Sequence, residues 1–138
     1  MKKIYSLIFI GLAFFALPAH AQDEIWQDLM GVKSIQKRDA YTPKFEAKQW
    51  AYDGKKITIT GYMYAYEEAP VHKFFMLSFY PVSMCFFCGG AGPESVIEVT
   101  MKKPLKFTSR KITLTGTLQL NQDNPERLFY FLLNAEEE

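Results

Sequence analysis

Two segments of this chain carry almost the same strand pattern, and together they constrain the fold more than anything else in it. Lys55-Lys56-Ile57-Thr58-Ile59-Thr60-Gly61 recurs 55 residues later as Arg110-Lys111-Ile112-Thr113-Leu114-Thr115-Gly116. In each, aliphatic and threonine side chains alternate with period two, which gives a strand one apolar and one polar face. Each run ends in a glycine, where a strand bulges or bends sharply. Two copies are too few for a solenoid; both positions need a strand that buries one face and then coils. In the first copy Ile57, Ile59, Gly61 and Met63 take the buried side, and Thr58, Thr60, Tyr62, Tyr64 and Tyr66 the other.

Three further strands are expected. Residues 73–80 and 128–135 are apolar on both faces, and residues 95–101 lie between them. Asp53-Gly54 is the turn that opens the set. Five short strands with a bent first strand predict a mainly β domain, a small five-stranded OB-like antiparallel barrel, with a β-sandwich as the alternative. Residues 102–109 include Pro104 and hold no more than a turn where such a barrel usually places a helix. Upstream, Ile25, Trp26, Leu29 and Met30 share one helical face, Asp23 offers an N-cap and Glu24 suits the first turn. Residues 22–37 therefore read as a helix that caps the barrel. Residues 38–51 have no clean period, and Tyr41, Pro43, Phe45 and Trp50 read as an extended segment across the core.

The chain opens with Lys2 and Lys3, an apolar run from Ile4 to Leu17, and Ala19-His20-Ala21. A positive start, a short apolar stretch and an A-x-A site describe a secretory signal peptide rather than a membrane anchor. The expected organisation is a signal peptide over 1–21, a helix and extended segment over 22–51, and the barrel over 52–138. The product is expected to be exported, to the periplasm or the medium, and no second apolar run of spanning length follows. Cleavage would remove two lysines and leave 14 basic against 15 acidic residues. A nearly neutral surface argues against nucleic acid as a partner.

Export puts both cysteines in an oxidising compartment, where disulfides and metal-bound thiolates persist. They stand in Met84-Cys85-Phe86-Phe87-Cys88-Gly89-Gly90, on the loop between the second and third strands. Gly89 stands where c-type haem attachment needs histidine. A thioredoxin-like pair needs a helix N-terminus to lower the thiol pKa, and Gly-Gly-Ala-Gly-Pro follows instead. No lysine follows the glycines, so the loop does not cradle phosphate. Two thiolates separated by two residues can hold a metal ion from one loop. His72, Glu94 and Glu98 are candidate completing ligands for zinc, and Met76 and Met84 would suit Cu(I). The plain alternative is a local disulfide, which would close a very short loop and add little entropic stabilisation. The stripe Tyr62, Tyr64, Tyr66 is a candidate binding face, as OB barrels stack bases or sugars on such stripes; otherwise Phe45 and Trp50 cover it. Glu67-Glu68 and the acidic C-terminus read as solvated, and no Ser-His-Asp set or nucleophile elbow is visible.

The segments ITGYMYAY, FMLSFYPVSMCFFCGGAGPESVIEV, KITLTGTLQL and FYFLLNA, in that order and spacing, resemble an exported bacterial family of unknown function. The resemblance runs from about Lys55 to Ala135. That family carries a Gly-Phe/Tyr-Met strand, a Phe-x-Leu strand, and a loop that usually reads Cys-Ile-His followed by prolines. Cys85 matches the family cysteine. Phe87 stands where the histidine would fall, and Cys88 is a candidate substitute one residue later. The resemblance implies an OB-like envelope protein, not an enzyme, with an accessory or binding role and sometimes an association with metal import. Its partners would be an envelope transporter or another envelope protein. The competing expectations are a thiol–disulfide redox protein and a partner-binding adaptor whose cysteines form a structural disulfide.

Overall fold

The computed structural model describes residues 20–37, 40–81 and 91–138. The expected signal peptide as far as residue 19, and Met84, Cys85 and Cys88 in the loop, lie outside the described residues. Helix α1 (His20–Met30) is followed by a hairpin of β1 (Lys33–Lys37) and β2 (Ala40–Lys44), then by a single helical turn, α2 (Ala47–Trp50). The barrel strands are β3 (Lys56–Ala65), β4 (Val71–Ser78), β5 (Val96–Lys106), β6 (Lys111–Leu120) and β7 (Tyr130–Glu137).

These five strands close in the order β3-β4-β5-β7-β6, with β6 paired back to β3, an OB-like barrel. The expected all-antiparallel barrel is corrected in one place. β5 and β7 run parallel, with Glu98 opposite Phe131 and Val99 opposite Leu132. The reason is parity: a closed ring of five strands cannot alternate direction at every neighbour, so one pair must run parallel.

The first strand belongs to two ladders. Lys56–Tyr62 pairs with β6, and Tyr62–Ala65 pairs with β4. Gly61 sits at that changeover. A Cβ there would lie 2.7 Å from the Ser78 carbonyl oxygen and 2.8 Å from Leu77 Cγ. Gly116, at an irregularity in the β6–β7 ladder, would set a Cβ 2.9 Å from the Leu133 carbonyl. Both bend glycines are therefore needed for close approach of a neighbouring strand. The alternation read from the sequence holds: Ile57, Ile59 and Met63 are buried with Phe75, Leu77, Ile97, Leu114 and Leu132. The Asp53-Gly54 turn has Gly54 at φ +69°, and Asp53 accepts a hydrogen bond from the Leu120 N–H at 2.9 Å.

The N-terminal segment differs from expectation. The described helix runs from His20, so the expected cleavage point lies within it, and it stops at Met30 rather than near residue 37. Gly31 and Val32 close it by donating to Gln27 and Leu29. Residues expected to be helical or extended form the β1–β2 hairpin, and α2 carries a capping box between Glu46 and Gln49. The helix itself covers one end of the barrel. Trp26 and Leu29 are fully buried, the Trp26 indole donates to the Thr60 carbonyl at 2.8 Å, and the Tyr130 hydroxyl donates to the Leu29 carbonyl at 2.7 Å. Among the described residues no helix is long and apolar enough to cross a membrane.

Candidate functional site

The cysteine loop leaves the barrel after β4 and returns before β5, and both of its roots are tied at one end. The Phe79 N–H donates to the Ser95 carbonyl at 3.0 Å, and Ser95 donates to the Gly92 carbonyl through its N–H at 3.1 Å and its Oγ at 2.7 Å. Pro93–Ser95 is one 3-10 turn. Within it the Glu94 carboxylate folds back into the space a Cβ on Gly92 would fill. A Cβ at that glycine would push this flexible side chain aside. Burial above all, with the nearby Glu94 charge, pushes the Tyr130 phenol well above its usual range.

The other proposed ligands stand elsewhere. His72 pairs with Leu105 at the start of β4, whereas Glu94 lies beside Val96, which pairs with Ser78 at its end. Six strand residues separate them, roughly 20 Å. The structure does not bring His72 and Glu94 together. Glu98 is engaged: one carboxylate oxygen accepts from Arg127 and the other from the Leu128 N–H at 3.0 Å, tying the β6–β7 connection to β5. Met76 is buried on the row it shares with Tyr64 and Glu98.

His72 is only 4% exposed. A bulge between His72 and Phe74 puts both Lys73 and Phe74 outside and turns His72 inward. Its ring stands edge-on to Phe107, centroids 6.4 Å apart. It lines a cleft of about 530 Å³ at the barrel end opposite α1, with Met63, Tyr64, Tyr66, Glu67, Glu68 and Phe107 among the walls. The tyrosine stripe is thus split. Tyr62 lies under the Lys111 ammonium, 5.5 Å from the ring centre, while Tyr64 and Tyr66 border the cleft. Phe45 and Trp50 do not cover them; Phe45 packs on Tyr130, 5.8 Å away, and Trp50 packs on Phe45, 5.6 Å away. Desolvation, reinforced by Glu98 and opposed by Arg127, pushes the Tyr66 phenol up to about 12. Sequence reasoning passed over Phe107 and read Glu67-Glu68 as plain turn residues. The signal available was Lys73, a charged side chain at an inward position of an otherwise apolar strand.

No family model and no curated protein matches the chain. Among solved structures it is similar to a DUF3299 family protein from Pseudomonas aeruginosa PAO1, at 16% identity over 64% of each chain, with a TM-score of 0.49. The chain spans 64% of the length of that protein. The neighbour is described as a member of a family of unknown function. The barrel stands on its own strand pairing.

Proposed function

We propose that this chain is a non-enzymatic binding module of the bacterial envelope whose loop cysteines, Cys85 and Cys88, hold a soft or borderline metal ion, zinc or Cu(I). The observation that supports this is the root of the loop, tied to the barrel between Phe79 and Ser95, with the Glu94 carboxylate folded over Gly92 at its exit. Thiolates suit both ions, whereas a carboxylate suits zinc and not Cu(I). Cys85, Cys88 and Glu94 make three donors. Tetrahedral zinc would keep one open position, which favours exchange with a partner over permanent storage. With the two thiolates alone, linear Cu(I) becomes the better fit. His72, at the far end of β4, is left out of the set. The partner class implied by the family resemblance is an envelope transporter of metal import or another envelope protein.

Competition against a chromophoric chelator tests the proposal on the reduced protein. One Zn²⁺ or Cu⁺ per chain is expected, with affinity falling as pH drops, because the thiols must lose their protons. The Cys85→Ser/Cys88→Ser variant should lose the ion, and Glu94→Gln should weaken zinc while sparing Cu(I). Catalytic reduction of insulin with no retained ion would instead establish the thiol–disulfide reading.

A further inference from the structure

The cleft at the other barrel end has a composition of its own. Its walls are Met63, Tyr64, Tyr66 and Phe107, and its rim carries Glu67 and Glu68. Among the described residues no lysine or arginine lines it. The aromatic rim is unusually open: Tyr66 is 56% exposed and Phe107 51%. His72, by contrast, is only 4% exposed, its ring edge-on to Phe107. His72 nevertheless lines the cleft, so its imidazole borders whatever enters there.

We infer that this cleft binds a small organic cation with an aromatic or apolar body, an arylalkylammonium in its simplest form. The volume lies within the range of small-molecule sites, roughly 300–1,000 Å³. Aromatic faces attract a cation through their quadrupoles, and two carboxylates at the rim add to that attraction. The same carboxylates, with no lysine or arginine among the described lining residues, disfavour an anion. A metal ion is a poor occupant, since the described residues hold no group of three His, Cys, Asp or Glu placed to bind one. An ammonium N–H can donate to the imidazole while the apolar body lies between Tyr66 and Phe107. The inference is independent of the cysteine loop.

The test reads His72 directly. In the ¹⁵N-labelled protein the imidazole signal that persists in a His20→Gln chain belongs to His72. Phenethylammonium chloride, 2-phenylethanol and phenylacetate are each titrated against it. Phenethylammonium should shift the signal saturably and bind about tenfold tighter than the neutral alcohol, and phenylacetate should not shift it. Glu67→Gln/Glu68→Gln, two solvent-facing changes that spare the fold, should remove the preference for the ammonium while the alcohol still binds. Phe107→Ala should weaken both. The proposal is overturned if phenethylammonium gives no saturable shift, if phenylacetate binds as well, if the double glutamine variant keeps the preference, or if Zn²⁺ alone moves His72.

Discussion

Replacing Tyr130 by phenylalanine removes one oxygen from the contact between the N-terminal helix and the barrel. The ring keeps its neighbours, Phe45 at 5.8 Å and Phe129 at 6.4 Å. What goes is the hydroxyl that donates to the Leu29 carbonyl at 2.7 Å. Orphaning a buried carbonyl costs about 1–3 kcal/mol. Here the Val32 N–H also donates to that carbonyl, at 3.2 Å, so it is not orphaned and the cost belongs at the low end, about 1–1.5 kcal/mol near neutral pH. Alkaline pH supplies the sharper test. The folded-state pKa of Tyr130 is raised, mainly by burial. Its contribution is therefore fully present below the unfolded value of about 10 and is lost as pH rises beyond it. At pH 11 the unfolded wild type gains about 1.4 kcal/mol by ionising this phenol, a gain the phenylalanine variant lacks. Tyr52 and Tyr66, also raised to about 12, are common to both proteins and cancel. Urea unfolding followed by tryptophan fluorescence should show a deficit of about 1–1.5 kcal/mol at neutral pH that shrinks to near zero at pH 11. An equal deficit at both pH values would refute the argument that this hydroxyl is buried and held.

Gly61→Ala should cost about 2–3 kcal/mol by the same urea assay, because the new methyl meets the Ser78 backbone at 2.7 Å and a carbonyl cannot rotate aside. Gly54→Ala meets nothing within 4 Å but must hold φ +69°, so it should cost only about 1 kcal/mol. Labelled single-stranded oligonucleotide should show no salt-sensitive micromolar binding, given a nearly neutral chain.

The strands were legible where packing follows the local pattern. The side-chain alternation from Ile57 to Met63 marks the buried face residue by residue, and Gly61 and Gly116 mark the bends. The β1–β2 hairpin was not legible, because its residues pair chiefly with each other. Ile35, the one large aliphatic in β1, is 51% exposed, so no apolar period announces the strand. The parallel β5–β7 pair could have been deduced by counting: five strands and closure already exclude full alternation. The burial of His72 was not legible because a single bulge reverses which residues face inward, and strict alternation would put Lys73 inside instead. Of the candidate metal site only Glu94 lies among the described residues and at the loop's root, its carboxylate folded over Gly92. Sequence spacing offered no reason to prefer it over His72.

The central claim, that Cys85 and Cys88 bind an ion without His72, is tested most directly by native mass spectrometry of the periplasmically expressed protein, with thiol counting and metal analysis. The account predicts one zinc or copper ion per chain, two thiols that become countable when it is removed, loss of the ion in Cys85→Ser/Cys88→Ser, and retention in His72→Asn. A quantitative Cys85–Cys88 disulfide with no ion, unchanged after gentle reduction and addition of metal, would contradict it.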